Sequence, residues 1–320
     1  MNNNIIIQAL LLCKGINRKT ISKVYKQVMG IKDYDDILYI VNSSTNINNQ
    51  INKDVLLSNI SKAYDIYEKS KVQEIQLISI ADQTYPSRLR LIDDPPAILY
   101  VRGDLHPFET GKNVAIIGTR EPTSHGAKVA EHFGIQFAQR GCNVISGLAI
   151  GCDTFAHVGC LTGGGKTLAV LPGGVDHVYP ASNRNLAEDI LINSGALISE
   201  YKPGEKPFKS NYVERDRLQS AFSEVIVVVE TDIEGGTMHT VNFTIEQNKI
   251  LAAYKHPKEY INEPKIQGNI ALINNGKAIP VDSVENISEL VSRAEFKYKE
   301  TNHLKPENEN GIEQISFFDN

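Results

Sequence analysis

Three short apolar segments each run directly into a turn of small and polar residues, and this repeated pattern constrains the fold most. The segments are residues 114–117, 143–146 and 168–171, and the turns after them contain Gly118, Gly147 and Gly173. Fully apolar strands separated by helical stretches are typical of a parallel sheet buried on both faces. In a doubly wound sheet these turns lie at one edge, where ligands bind. The helices that begin there offer free backbone N–H groups to phosphate.

The same pattern predicts an α/β chain divided into four parts. The parts are a small helical domain over residues 1–75, a mostly parallel sheet domain over 76–260, a small C-terminal extension over 261–296, and a disordered tail over 297–320. The predicted strands are residues 98–101, 114–117, 143–146, 168–171, 196–199, 225–229 and 250–253. The tail is assigned as disordered because residues 297–311 contain almost no apolar side chains.

The N-terminal segment has the pattern of a helical hairpin. Ile21, Val24 and Val28 recur at helical spacing after a turn at Gly15, and Asn17 is placed to cap their helix. A further helix is predicted over residues 55–69. Such modules serve either as docking domains or as contacts to DNA phosphates, and the pattern alone is compatible with both.

Composition and charge exclude several classes of protein. The chain has 320 residues and a net charge of −5, which argues against broad nonspecific binding of polyanions but not against a local basic pocket. No apolar run approaches the roughly 18 residues of a membrane span, and the N-terminus lacks a signal-peptide pattern, so we expect a cytoplasmic location. The four cysteines lack metal-ligand spacing, and neither metal nor cofactor is expected.

The first turn contains the clearest candidate for an anion contact. Gly118 lets the chain leave its strand tightly, and Thr119 and Arg120 follow at the predicted ligand-binding edge. The planar guanidinium of an arginine donates paired hydrogen bonds to phosphate. The alternative for Arg120 is a surface salt bridge.

The second and third turns supply further candidates. Ser146, Gly147 and Gly151 form the second turn, and Asp153 either caps the following helix or contacts a ribose or base edge. Gly174 lies in the third turn, and Tyr179 after it either stacks on a base or fills the loop.

A fourth turn and two acids complete the predicted edge. Gly235, Gly236 and Thr237 open a helix and form another candidate anion site. Glu200 and Glu230 each follow a strand and are conceivable acid–base catalysts, but no Ser/His/Asp or Cys/His set accompanies them. A full nucleotide-binding fingerprint is also missing. We therefore expect a binding protein and not an enzyme.

The ordered motifs resemble the DprA/Smf family of DNA-processing proteins. The matching residues are Tyr85-Pro86, Asp93-x-Pro95, Gly118-Thr119-Arg120, Ser146-Gly147-Leu148-Ala149-x-Gly151-x-Asp153, Ala156-His157, Gly165-Lys166-Thr167-x-Ala169-Val170-Leu171, Gly174-x-Asp176, Tyr179-Pro180-x-x-Asn183-x-x-Leu186 and Ser199-Glu200. The resemblance covers about residues 76–255 and has a similar helical domain in front of it.

The resemblance implies an extended Rossmann-like domain that binds single-stranded DNA and helps load RecA onto it in natural transformation or recombination. It also implies a homodimer and a basic pocket that uses Arg120, Arg215 and Arg217. The family's Arg-Asn-Arg segment reads Arg215-Asp216-Arg217 here, and Asp216 repels phosphate unless it pairs with a neighbour. Further DNA contacts are expected from residues of the same segment, namely Lys206, Phe208, Lys209 and Tyr212.

Two other functions remain as alternatives. Gly235-Gly236-Thr237 partly resembles a turn of nucleotide phosphoribohydrolases, which makes a nucleotide-binding enzyme or sensor the second hypothesis. The third hypothesis is a scaffold that acts through its helical domain and its tail. The family's C-terminal winged-helix domain is not evident in this sequence, and the carry-over of RecA as a partner is left open.

The C-terminal tail suggests a partner of its own. Gln314, Ile315, Phe317 and Phe318 are similar to the peptide by which bacterial proteins bind the replication sliding clamp. An apolar and aromatic peptide on a flexible tether commonly inserts into a groove of its partner. The alternative is a tail that folds back onto its own domain.

Overall fold

The computed structural model describes residues 2–44 and 50–303. Within these residues the strands form one sheet with the order β1-β2-β6-β5-β4-β3-β7-β8-β9. The strands are β1 (Gln76–Ser79), β2 (Ile98–Gly103), β3 (Lys112–Ile117), β4 (Cys142–Ser146), β5 (Thr167–Val170), β6 (Ala196–Ser199), β7 (Val225–Val228), β8 (Ile250–Tyr254) and β9 (Ile279–Val281). β1 and β2 pair antiparallel, and β2 joins β6 antiparallel. Every other pair in the sheet is parallel.

The helices cover both faces of this sheet. They are α1 (Asn3–Leu11), α2 (Arg18–Val28), α3 (Tyr34–Ser43), α4 (Lys53–Val72), α5 (Ser87–Arg90), α6 (His106–Thr110), α7 (Ser124–Gln139), α8 (Cys152–Thr162), α9 (Arg184–Ile192), α10 (Lys209–Phe222), α11 (Thr237–Glu246), α12 (Gln267–Asn274) and α13 (Val284–His303). None of those between residues 2 and 303 combines the length and the apolar character that a bilayer crossing requires.

Strand β3 shows why the sheet strands are apolar throughout. Val114 and Ile116 point into one core, where helices α7, α8 and α13 supply the partners. Ala115 and Ile117 point into the other core, which includes Leu218 of α10. Because side chains alternate between two covered faces, a polar residue at any of these positions would be buried. The predicted doubly wound, Rossmann-like architecture is confirmed.

The N-terminal helices are continuous with the sheet domain. Helix α1 packs against α4, β1 and β2, and the Asn4 side-chain oxygen accepts from the Ser79 N–H at 3.0 Å. The side chain of Asn17 accepts from the Thr20 N–H at 3.0 Å, so its predicted role as the cap of α2 is confirmed. The boundary drawn at residue 75 thus separates elements that share one hydrophobic core.

The C-terminal end of the sheet domain also departs from the predicted divisions. β9 extends the sheet beside β8, although it lies in the segment drawn as a separate extension. Helix α13 continues to His303, so disorder from residue 297 is wrong for residues 297–303. Leu290 and Ala294 are buried and Tyr298, four residues further along, donates to the Thr110 carbonyl at 2.9 Å. Residues four positions apart lie on one face of a helix, so these three contacts hold one face of α13 against the domain although the rest of the segment is polar.

Candidate functional site

The strand order places a crevice beside β3. β3 lies between β4 and β7, and the chain passes to β4 on one side and later returns to β7 on the other. Loops on the two sides of such a switch point diverge and leave a crevice at the carboxyl ends of the strands. A cavity of about 570 Å³ lies here, walled by the loops after β3, β4 and β7 and by one face of α10. We call it the switch-point cavity.

Ten residues predicted from the sequence line the switch-point cavity. They are Gly118, Thr119, Arg120, Asp153, Lys209, Tyr212, Arg215, Gly235, Gly236 and Thr237. They come from segments up to about 120 residues apart, and the fold alone brings them together. The structure therefore supports the expectation that the turns after several strands form one site.

Arg120 is the exposed cation at the centre of this arrangement. Its guanidinium carbon lies 4.8 Å from the centroid of the Tyr212 ring. The face of an aromatic ring carries partial negative charge and attracts a guanidinium, so Tyr212 orients the side chain without consuming its N–H donors. Among residues 2–44 and 50–300, no carboxylate oxygen lies within 4.0 Å of the Arg120 guanidinium. The surface salt bridge considered above is therefore not formed by these residues.

Arg215 is a structural crosslink between two strands. Its Nη1 donates to the carbonyl of Gly147 at 2.7 Å and to the carbonyl of Val170 at 2.9 Å. The residue is 5% exposed. It therefore fixes the loop after β4 to the end of β5 while it also lines the cavity.

Asp153 holds the same loop from the other side. Its carboxylate accepts from the Gly147 N–H at 3.1 Å and from the Ala149 N–H at 3.4 Å. The predicted N-cap role is wrong, because α8 begins at Cys152 with Gly151 as its N-cap. Burial raises the pKa of Asp153, and the charge of Arg215 acts in the opposite direction.

Asp216 is paired, which resolves the repulsion expected from the sequence in part. Its Oδ1 lies 3.0 Å from the Nε of Arg215. Burial raises the pKa of Asp216 to about 6, with Arg215 opposing the shift and Asp153 adding to it. Because Asp216 also lines the cavity, its ionisation state changes the potential that a bound anion meets.

Glu230 organises the start of helix α7 instead of facing the cavity. Its carboxylate accepts from the Thr123 N–H at 2.8 Å and from the Thr123 hydroxyl at 2.6 Å. Glu200 is similarly engaged, since its Oε1 accepts from Arg217 Nη2 at 2.5 Å. Both acids considered for acid–base chemistry are therefore committed to internal contacts.

Several cavity residues were not predicted from the sequence. Gln219 is 2% exposed, lines the cavity, and its Nε2 has no hydrogen-bond partner among the described residues. His239 of α11 lines the opposite wall. Gln219 could have been predicted from the helical spacing of α10. It lies on the same face as three other residues, because Tyr212, Arg215, Asp216 and Gln219 are at positions i, i+3, i+4 and i+7.

Seven predicted residues do not line the cavity. They are Ser146, Gly147, Gly151, Gly174, Lys206, Phe208 and Arg217. Ser146 Oγ donates to the Ile116 carbonyl at 2.8 Å, and the N–H groups of Gly147 and Gly174 are used by Asp153 and by the Glu205 carbonyl. The polar groups of these three residues already have internal partners, and their direct contact with phosphate stays a prediction.

Arg217 is the most consequential of these placements. It is 3% exposed and its guanidinium is bonded to Glu200. It lines a different cavity from Arg120 and Arg215. Residues two apart on a helix do not share a face, so Arg215 and Arg217 cannot both point into one pocket. The structure thus places Arg217 apart from Arg120 and Arg215, and its contact with the same ligand stays a prediction.

Two exposed aromatic side chains belong to segments that contribute to the cavity wall. Tyr179 lines the cavity and is 60% exposed, and Phe208 at the start of α10 is 68% exposed. A tyrosine that only filled its loop would be buried, so this exposure favours the stacking alternative for Tyr179.

Gly151 sets the distance between the first and second turns, and its replacement tests this packing. A Cβ at Gly151 would lie 2.5 Å from the Thr119 carbonyl oxygen, and the residue has a φ of +85°. We expect Gly151→Ala to lower the free energy of unfolding by about 1–3 kcal/mol and to displace Arg120. Gly164→Ala is the matched control, because Gly164 has a φ of +75° but open space around its Cβ. Equal losses of stability in thermal denaturation would contradict the contact argument.

Comparison with known proteins identifies the family. The family model described as DNA recombination-mediator protein A matches residues 76–292. DNA processing protein DprA of Bacillus subtilis is 34% identical over 228 residues, which cover 71% of this chain and 75% of that protein.

Two solved structures of the same kind of protein share the fold. DNA processing protein A from Streptococcus pneumoniae matches with a TM-score of 0.74 and 28% identity, over 90% of this chain and 98% of that one. DNA processing protein A from Helicobacter pylori, in a structure concerned with its single-stranded DNA binding mode, matches with a TM-score of 0.60 and 27% identity, over 68% of this chain and 96% of that one. The chain therefore belongs to the DNA recombination-mediator protein A family, the DprA/Smf family that its motifs resemble.

Proposed function

We propose that the chain binds single-stranded DNA at the switch-point cavity and acts as a DNA-processing protein. The observation that carries this proposal is the exposed guanidinium of Arg120, held on the ring of Tyr212 at the carboxyl edge of the sheet. The Helicobacter pylori relative, whose structure concerns single-stranded DNA binding, shares this fold. The proposed role is binding without catalysis.

Phosphate contacts account for the affinity in this proposal. Arg120 and Lys209 are the exposed arginine and lysine among the cavity residues. The N-terminal end of α11, with Gly236 as its N-cap, adds a positive dipole end to the same wall. Gln219 offers its unpartnered Nε2 deeper in the cavity. Arg215 contributes by fixing the loop shape and not by direct contact.

Exposed rings account for a preference for single strands. A strand bound in the cavity would bring its bases to Tyr179, which lines it, and to Phe208, which precedes the lining residue Lys209; both side chains are exposed. Stacking on a side chain requires a base that is not already stacked and paired in a duplex. Because every base has a π-face, this contact is tolerant of sequence.

Filter binding with single-stranded and double-stranded oligonucleotides tests the proposal. At salt concentrations of about 50 and 200 mM, we expect tighter retention of the single strand and an affinity that falls steeply with salt. If the chain is instead a nucleotide-binding enzyme, nucleoside monophosphates should compete with the oligonucleotide, and the chain should hydrolyse them to release free base. Equal binding of duplex and single strand, or no binding of either, would contradict the proposal.

The ionisation of Asp216 makes the affinity depend on pH. A bound polyanion favours the neutral carboxyl, so affinity is expected to fall as pH rises through about 6. Asp216→Asn removes this charge and should raise the affinity above that pH by about fivefold. Titrations of the parent chain and of Asp216→Asn at several pH values isolate the contribution of this carboxylate. An unchanged pH profile in Asp216→Asn would exclude the carboxylate as its source.

The wider role belongs to the same proposal. Binding along a strand would shield it from nucleases and present it to a recombinase such as RecA. Pairing of two chains would double the number of phosphate contacts. Both the RecA contact and the homodimer are inferred from the family resemblance.

The docking peptide Gln314, Ile315, Phe317 and Phe318 lies outside the described residues and remains a prediction. A sliding-clamp pull-down that compares the full chain with one truncated after Glu309 tests it. Equal retention of the two chains would reject the peptide as a clamp ligand.

A further inference from the structure

A second cavity, of about 540 Å³, lies where the N-terminal helices meet the sheet domain. Its walls include Arg18 at the start of α2, Asp94 before β2, Arg217 of α10, and Phe243, Gln247 and Lys249 around the end of α11. We call it the junction cavity. It shares none of its lining residues with the switch-point cavity.

Four side chains of the junction cavity keep buried polar atoms without hydrogen-bond partners among the described residues. The donors are Arg18 Nε and both Nε and Nη1 of Arg217, and the acceptors are Asp94 Oδ1 and Gln247 Oε1. Buried polar groups are normally paired, and a cluster of unpaired ones around a cavity calls for a ligand that supplies the partners. Arg217, which is 3% exposed, is the most deeply buried of the four.

Lys249 provides a cation with no carboxylate partner in this wall. Its ammonium donates to the Ala221 carbonyl at 3.2 Å, and no carboxylate oxygen of the described side chains is within 4.0 Å of it. Burial lowers the pKa of Lys249 to about 8; the charge of Glu224, which is paired with Arg88, opposes this shift, and an anion in the cavity would oppose it further.

The acids of the cavity do not supply this counter-charge. Asp94 and Glu214 each lie 2.5 Å from Arg18 Nη2, and Glu214 also lies 3.5 Å from Arg217 Nε, so both acids are already paired with arginine. Glu300 pairs with Lys297 at 3.3 Å. The two remaining acids, Asp93 and Glu246, are exposed at the rim, where water screens them.

We propose that the junction cavity binds a nucleoside monophosphate. The phosphate would lie between Arg217 and Lys249, the exocyclic amino group of the base would donate to Gln247 or Asp94, and the ring would lie against Phe243. A ligand with an anionic end, a hydrogen-bonding edge and a flat face matches the donors, acceptors and apolar wall together. The volume is within the range of small-molecule sites.

Equilibrium dialysis of the full chain against radiolabelled AMP tests this site. We expect saturable binding of one AMP per chain, weakened about tenfold by Lys249→Met, which keeps most of the side-chain length but removes the charge. Lys249→Arg, which restores the cation, should recover most of the affinity. Arg120→Ala is the matched control in the other cavity and should leave AMP binding unchanged. Phe243→Ala, which removes the ring contact, provides a second test should Lys249→Met fail to fold.

Three outcomes would overturn the proposal. They are no saturable AMP binding up to about 10 mM, AMP binding that Lys249→Met and Phe243→Ala both leave intact, and AMP binding that Arg120→Ala abolishes. Oligonucleotide binding is measured in parallel, and Lys249→Met should not change it. The junction site and the proposed DNA site can therefore fail independently.

Discussion

Arg120→Ala is expected to weaken single-stranded DNA binding by about 10- to 100-fold, because it removes charged hydrogen bonds to phosphate. Arg120 is exposed and rests on Tyr212, so its loss costs little packing. The loss should be similar for all oligonucleotide sequences, since phosphate contacts carry no base information. The slope of log affinity against log salt should also become shallower by about 0.7.

A matched control separates this effect from the loss of one positive charge anywhere on the surface. Arg293 of α13 is half-exposed, pairs with Glu289 at 2.7 Å, and does not line the cavity. Arg293→Ala should change the affinity by less than about twofold. If the two variants bind oligonucleotides equally well, Arg120 does not belong to the interface.

Arg88→Met is expected to cause the largest loss of stability, about 3–5 kcal/mol. Arg88 Nε lies 2.8 Å from Glu224 Oε1, and the two side chains are 2% and 0% exposed. The guanidinium also donates to the carbonyls of Phe108, Glu109 and Gly111. Methionine would leave the Glu224 carboxylate buried without its cation, and the melting temperature should fall by roughly 10 °C.

A double variant shows whether the unpaired charge causes that loss. Arg88→Met with Glu224→Leu removes both charges, and a buried ion pair replaced by apolar residues is often close to neutral. Glu224 Oε2 also accepts from the Asn113 N–H at 2.7 Å, so some loss will remain. The double variant should melt above Arg88→Met alone. If the double variant instead melts below Arg88→Met, with a loss equal to the sum of the losses of the two single variants, the unpaired charge is not the cause.

The sheet could be predicted from the sequence because its strands are apolar on both faces. Six predicted parallel strands correspond to β3 through β8, with ends that differ by one or two residues. β1 escaped prediction because Gln76–Ser79 is only four residues long and begins and ends with polar side chains. The turn residues Gly118, Arg120 and Gly236 were found because parallel strands all deliver their carboxyl ends to one edge.

The burial of charged side chains could not be predicted in the same way. Arg120 and Arg215 look alike in the sequence, yet one is exposed and the other crosslinks Gly147 and Val170. That difference is set by the packing of α10 against the loop after β4, which depends on tertiary structure. The placement of Arg217 away from Arg215 could have been predicted, because residues two positions apart on a helix do not share a face.

Photocrosslinking of oligothymidylate to the full chain, followed by mapping of the modified peptides, tests directly whether single-stranded DNA binds at the switch-point cavity. We expect crosslinks at Tyr179 and Tyr212 of the cavity and at Phe208 beside Lys209, and their loss in Arg120→Ala. Crosslinks confined to the helices of residues 3–72, with none at the sheet edge, would contradict it.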